Sequence, residues 1–337
     1  MTVRYRPIPQ SGGPRPADAH PLAGGPLWFD RVAEHRRGAP PRLVAATGLP
    51  PEALAPFTAP RAPIAGLAFD RPRIMGILNV TPDSFSDGGL HATLPTALAA
   101  ARAIAEAGAD ILDIGGESTR PGASPVPLAD EIARTAPVIA ALRAEGFALP
   151  ISIDTRNAAV AAAALDAGAD LFNDVSALRH DPGSLALAAD RGVPVCLMHA
   201  LGDPRTMQDA PAYDDVLLDV LAMLDGRVAA AEAAGIPRAR ILVDPGIGFG
   251  KTVAHNLGLV RGLAAFHGLG CALLFGASRK RFIGTVADAP VARERAPGSI
   301  AVALEALRQG AQVLRVHDVR ETRQAVALWT ALNGDEE

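Results

Sequence analysis

Eight short apolar runs in this chain end on polar or charged side chains. Those ends carry Asn79, Asp113 with Glu117-Ser-Thr-Arg120, Asp154, Asn173, His199, Asp244, Ser278-Arg-Lys280, and Arg315 with His317. Several are acids directly after apolar residues, where an unpaired carboxylate is costly, so the set calls for a polar ligand. Asp154, Asn173, Asp244 and Lys280 together offer acceptors, an amide with both functions, and a cationic donor. They suit the edge of a flat heterocycle bearing amino, ring N–H and keto groups. Arg315 and His317 lie two apart, so both face one side of a strand. With Asn79 they suit a phosphate or pyrophosphate. Asn79 also supplies the kind of neutral oxygen that Mg2+ takes alongside substrate phosphates. Blander roles stand open at three positions: a helix N-cap for Asp154, a surface histidine for His317 and a packed one for His199.

Of the 32 basic residues, 30 are Arg. The two lysines, Lys251 and Lys280, both sit in polar motifs, and Lys provides a compact, titratable amine that guanidinium cannot imitate. Lys280 reads as functional, while Lys251 stands between a functional and a structural role. Three glycine-rich loops accompany these groups. They begin at Thr81, Glu117 and Pro245, and read as mobile covers that complete a site on binding. The third, Pro245-Gly-Ile-Gly-Phe-Gly-Lys251, lacks the spacing of a nucleotide P-loop.

The elements that position these groups follow a regular rhythm. Apolar runs at 74–79, 111–115, 151–154, 171–175, 193–198, 241–244, 272–276 and 313–316 read as buried strands. Stretches with helical period, among them 96–107, 130–144, 158–167, 216–234 and 321–332, lie between them. Eight alternating units in about 260 residues predict a (β/α)8 TIM barrel, an α/β fold whose site lies at the carboxyl ends of its strands. A weak repeat, Ala107-Gly-Ala-Asp110 and Ala167-Gly-Ala-Asp170, precedes two strands, and Gly310-Ala-Gln312 precedes the last; each glycine is expected to cap a helix. The barrel is assigned to residues 73–334. Residues 1–72 hold 14 of the 29 prolines and form a Pro-rich N-terminal extension, expected to be loosely packed, with a helical pattern only around 28–37. A chain starting near Asp70 is expected to fold and keep activity.

Composition removes some functions. A net charge of −4 gives no basic surface for nucleic acid or an anionic membrane. No apolar stretch approaches the span of a bilayer and no secretory pattern opens the chain, so cytoplasmic residence is expected. Cys196 and Cys271 lie in apolar runs and read as small buried hydrophobes.

Eight blocks, in order, resemble those of the dihydropteroate synthases. Met75-Gly-Ile-Leu-Asn-Val-Thr-Pro-Asp-Ser-Phe-Ser-Asp-Gly-Gly89 is similar to the family's opening signature and Asp113-Ile-Gly-Gly-Glu-Ser-Thr-Arg-Pro-Gly122 to its second. Ser152-Ile-Asp-Thr155, Phe172-Asn-Asp-Val175, Leu197-Met-His199, Asp244-Pro-Gly-Ile-Gly-Phe-Gly-Lys251, Gly276-Ala-Ser-Arg-Lys280 and Arg315-Val-His-Asp-Val319 follow. The resemblance spans 73 to about 332.

It implies a transferase of folate biosynthesis that condenses 6-hydroxymethyl-7,8-dihydropterin pyrophosphate with p-aminobenzoate, uses Mg2+, forms a homodimer and is a sulfonamide target. Carried onto this chain, Asp154, Asn173, Met198, Asp244 and Lys280 bind pterin. Asn79, Arg315 and His317 bind pyrophosphate, with Asn79 a metal ligand. Thr119, Arg120, Pro121, Phe249 and Ser278 frame p-aminobenzoate, and Lys280, Asp83, Asp87 and Arg120 serve catalysis. A pterin-dependent methyltransferase and a non-catalytic pterin-binding paralogue are the rivals. Neither needs the full pyrophosphate and p-aminobenzoate sets.

Overall fold

The computed structural model describes residues 3–81, 94–118, 125–202 and 206–333. The chain opens with a small antiparallel sheet of β1 (Arg4–Pro7), β4 (Arg31–Arg36) and β5 (Ala39–Ala45), in the order β1-β4-β5. A two-stranded ribbon, β2 (His20–Pro21) with β3 (Trp28–Phe29), and helix α1 (Pro51–Thr58) complete the unit. The helical pattern expected around 28–37 is therefore strand. Pairing to β1 on one side and β5 on the other engages the β4 backbone in both directions, and Gly38, at φ +78°, turns the chain between β4 and β5. Such tertiary pairing readily outweighs local helix propensity.

Nor is this extension loose. Leu22, Leu27, Phe29, Val32, Ala46, Leu49 and Phe57 form a core of their own, against which Trp329 of the last helix also packs. Arg4 pairs with Asp225 at 2.6 Å, and Arg37 with Asp219 at 2.6 Å. The half-buried Arg61 guanidinium donates to the carbonyls of Pro56 (2.7 Å) and His267 (3.1 Å).

Eight parallel strands close the barrel: β6 (Arg73–Asn79), β7 (Ile111–Gly115), β8 (Ile151–Asp154), β9 (Leu171–Asp174), β10 (Val195–Met198), β11 (Ile241–Asp244), β12 (Ala272–Phe275) and β13 (Val313–Val316). Closure pairs β13 with β6, setting Arg315 opposite Met75. Around it run α2 (Leu94–Glu106), α3 (Leu128–Ala144), α4 (Ala158–Asp166), α5 (Ser184–Arg191), α6 (Val216–Ala233), α7 (Val253–Arg261), α8 (Arg281–Val286), α9 (Ala296–Arg308) and α10 (Val319–Asn333). The TIM barrel read from the rhythm of the chain is thus the fold.

Alternation along each strand sorts the side chains. Ile74, Leu112, Ile114, Ile153, Phe172, Leu197, Val243, Leu273 and Leu314 point outward to the helices. Met75, Ile111, Leu171, Cys196, Leu242, Leu274 and Val313 point inward and fill the floor, which Ile64, Leu67 and Phe69 plug from below. Both cysteines are buried free thiols.

The Gly-Ala-Asp repeat belongs to the same end. Gly108 and Gly168 adopt φ of +99° and +108°, and the aspartate that follows accepts the backbone N–H of a neighbouring strand: Ile74 to Asp110 and Ile151 to Asp170, each at 2.8 Å. Gln312 does the same for Leu273 at 2.8 Å. Burial raises the Asp110 carboxyl, but hydrogen bonds from Arg71, Ile74 and Arg323 outweigh it and hold the group below its ordinary range.

Candidate active site

Two residues beyond the floor on the same strands, the inner face turns polar. Asp113, Asp154, Asn173, Met198, Asp244 and Arg315 follow Ile111, Ser152, Leu171, Cys196, Leu242 and Val313 at the spacing that keeps a side chain inside. Arg315 reaches across the barrel. Its Nε donates to Asp113 Oδ2 at 2.6 Å and its Nη2 to Asp154 Oδ2 at 2.6 Å. Asn173 Nδ2 donates to the two Asp113 oxygens at 3.3 and 3.4 Å. Asp113, fully buried, is the hub of the group. It was assigned no role from sequence, although its position directly after Ile111-Leu112 carried the signal.

The electrostatics follow from burial. Asp154 lies well above the ordinary carboxylate range because burial disfavours its charge, which Arg315 only partly offsets. Its Oδ1 is buried without a partner. Burial raises Asp244 as well, against the N–H of Gly246, which donates to Asp244 Oδ1 at 2.7 Å, and the charge of Lys280. Arg315 is held above its ordinary value: burial acts to lower it, but Asp113 and Asp154 prevail. Asp154 caps no helix. The N-cap of α4 is Asn157, and the Ala158 N–H goes to Asp181 at 2.9 Å.

A second, apolar wall stands beside these groups. Met198, Val175, Met207 and Phe249 form one buried cluster, and Lys280 Nζ lies 3.8 Å from the centre of the Phe249 ring. That separation is a cation–π contact. Met207 had no marker in the sequence. Ser278 and His317, expected in different subsites, touch: Ser278 Oγ lies 3.0 Å from His317 Nδ1 and accepts the His317 backbone N–H at 3.2 Å. Arg315 and His317 do share a strand end, but the guanidinium turns down to the carboxylates. Asn79 ends β6 half-buried. Asp83, Asp87, Thr119, Arg120 and Pro121 lie outside the described residues.

Two supporting networks were not legible as such. Glu117 is buried against Arg156 (Nε to Oε2, 3.1 Å) and also accepts the Val126 N–H at 3.2 Å, so it ties both flanks of the 118–125 segment. Lys251, 4% exposed, donates to the carbonyls of Gly246 (2.8 Å) and Phe249 (2.9 Å), and its Nζ lies 2.9 Å from His199 Nδ1. Burial pulls His199 down to about 3, so the ring is neutral and accepts from the lysine.

The site now has its relatives. Residues 75–317 match the family of pterin binding enzymes. A dihydropteroate synthase of Escherichia coli is 47% identical over 260 residues, covering 77% of this chain and 91% of that protein. One from Synechocystis is 46% identical over 283 residues, covering 82% and 98%. Among solved structures, a dihydropteroate synthase of Xanthomonas albilineans with 4-aminobenzoic acid superposes with a TM-score of 0.76 at 51% identity, covering 81% of this chain and 98% of that one. The same organism's enzyme in complex with 7,8-dihydropteroate gives a TM-score of 0.73 at 48% identity, again over 81% and 98%. The chain belongs to the dihydropteroate synthase family of pterin-binding enzymes.

Proposed function

We propose that this barrel joins 6-hydroxymethyl-7,8-dihydropterin pyrophosphate to p-aminobenzoate, giving 7,8-dihydropteroate and pyrophosphate. One observation carries the reading. Asp154 keeps a buried oxygen without a donor, in a ring with Asn173 and Asp244. Such an oxygen demands a donor, and the edge of a pterin carries amino and ring N–H groups in one plane. Met198 supplies the apolar wall for its face. Lys280, above Phe249, stands where pterin and aromatic amine meet, and Ser278 lines the amine side with Phe249.

The reaction breaks the methylene C–O bond, and the electron pair leaves on pyrophosphate. The amine nitrogen of p-aminobenzoate forms the new C–N bond and releases a proton. Charge appears at the departing oxygen, so cationic groups aimed there lower the barrier. Arg315 has five N–H donors, of which two engage Asp113 and Asp154. The others are the ones for the diphosphate, together with His317. No enzyme nucleophile is required, and the thiols do not offer one: burial raises Cys196, in the floor, and pushes Cys271 up to about 12.

Among the described residues there is no group of three or more His, Cys, Asp or Glu that would cage a metal. Asn79 offers a single neutral oxygen, which fits Mg2+ held chiefly by diphosphate oxygens and water. When bound, that ion neutralises leaving-group charge. Asp83 and Asp87 are assigned to the neighbourhood of the reacting carbon, and Thr119, Arg120 and Pro121 to p-aminobenzoate. A homodimeric state and cytoplasmic residence belong to the same reading.

The test mixes purified protein with dihydropterin pyrophosphate, Mg2+ and p-aminobenzoate and follows dihydropteroate and pyrophosphate. Product that requires all three, competes with a sulfonamide and disappears in Lys280→Ala supports the reading. Binding of the pterin pyrophosphate without product would replace it with the non-catalytic one.

A further inference from the structure

One of only two lysines in the chain is spent inside a loop, away from any surface. Lys251 closes the segment 245–250, which joins Asp244 to the residues beneath Lys280. Left-handed glycines at Gly246 (φ +68°), Gly248 (φ +81°) and Gly250 (φ +61°) wind this segment tightly. A Cβ on Gly246 would lie 1.8 Å from the His199 carbonyl oxygen, so no other residue fits.

Four carbonyls of the turn find a side-chain donor. Lys251 serves Gly246 and Phe249, Gln208 serves Gly248 at 2.7 Å, and the Tyr213 hydroxyl serves Gly250 at 2.8 Å. Asn256 accepts the Gly248 N–H at 2.7 Å. Burial pulls the Lys251 amine down to about 7, and its N–H donors, supplied by the chain itself, tie the carbonyls of the loop together. The two ends of the turn touch the site: the Gly246 N–H meets Asp244, and the Phe249 ring lies under Lys280.

We propose that Lys251 is a positioning residue, an internal hydrogen-bond donor that holds the 245–250 turn so that Phe249 seats the Lys280 amine and the Gly246 N–H holds Asp244. The assignment of those two groups to substrates rests on the reading given under Proposed function; the loop geometry does not.

Two measurements on Lys251→Met test it. In steady-state kinetics, the KM for p-aminobenzoate rises about tenfold, as expected for a displaced seat. The KM for the pterin pyrophosphate rises as well but by less, because Asp244 and Lys280 depend on the turn while Asp154 and Asn173 stand on strands outside it. A merely structural lysine would lower the active fraction, and so kcat, leaving both KM values alone. In hydrogen exchange, the Gly248 and Phe249 amides exchange at least about tenfold faster than in the parent, while those of β11 keep their protection. Unchanged loop amides together with an unchanged KM for p-aminobenzoate overturn the proposal. A parent protein that makes no dihydropteroate, with loop amides that still respond, sinks the functional reading and leaves the positioning role standing. Should Lys251→Met not fold, Lys251→Gln, which retains two donor hydrogens, is read in the same way.

Discussion

At the floor of the barrel, Met75, Ile111, Leu171, Cys196, Leu242 and Val313 meet the plug of Ile64, Leu67 and Phe69, and the acid behind them, Asp110, is saturated by Arg71, Arg323 and the Ile74 N–H. At the mouth, two residues along the same strands, Asp113, Asp154 and Asp244 share a buried space with Arg315, and Asp154 keeps an oxygen that nothing satisfies. Strand geometry is identical at the two ends; what is left unpaired is not. The floor leaves the neutral Ser152 Oγ and His267 Nδ1 without partners, whereas the mouth leaves a carboxylate oxygen that a ligand must satisfy. Stability and activity should therefore respond separately to changes at the two ends, as expected when a barrel divides these tasks between its rims.

The strongest challenge to that division is Arg315→Met. It leaves Asp113 and Asp154 buried without a cation and takes donors from the leaving group, so kcat/KM in the pyrophosphate-release assay should fall about a thousandfold. A fall of only a few-fold would mean that the guanidinium is structural.

At the other end, Ile64→Ala should cost about 2–4 kcal/mol in urea unfolding with kcat/KM unchanged. The same logic moves a useful truncation point. A chain starting near Asp70 loses the whole plug and should unfold earlier than one starting at residue 62, which keeps it. Equal stability of the two would show that the floor holds without its plug.

Asp154→Asn sharpens the comparison through pH. A carboxyl raised by folding keeps its proton where the unfolded chain has lost it, so its contribution to stability falls as pH rises above the ordinary Asp range. The variant should thus gain on the parent in melting temperature from pH 5 to pH 8, while losing activity; no gain would refute the burial argument.

His267, buried at the floor and pulled down to about 3, has the opposite sign. The unfolded chain takes up a proton below about 6.5 that the folded ring refuses, so stability is lost as pH falls from there toward 3. His199 acts in the same sense at the mouth. His267→Gln should flatten part of the acid slope of the melting temperature, the smallest of these effects, and an unaltered slope would assign it elsewhere.

Much of the barrel could be read beforehand because period-2 alternation carries both layers: Ile111 and Asp113, or Leu242 and Asp244, announce a floor and a mouth in one strand. The N-terminal unit escaped because β5 carries Pro40 and Pro41, residues that argue against a strand, and β4 buries Val32 and Ala33 side by side instead of alternately. Arg315 was legible as inward-facing, but a long side chain in a narrow barrel reaches strands far away in sequence, and its partners are 202 and 161 residues distant. The Lys251–His199 contact spans 52 residues and was equally invisible. The Gly-Ala-Asp repeat showed its glycine as a cap, while the task of its acid, holding the neighbouring strand, emerged only from the pairing.

The scarcity of lysine has a practical consequence. With Lys251 sealed in its loop, Lys280 is the one side-chain amine in the molecule that reagents can reach, and it stands half-buried at the mouth. Reductive methylation with isotopically labelled formaldehyde would install a single side-chain dimethylamine signal there. Its chemical shift would follow the protonation of that amine, and the arrival of each substrate, in the intact protein, with no mutation and no assignment of the other resonances.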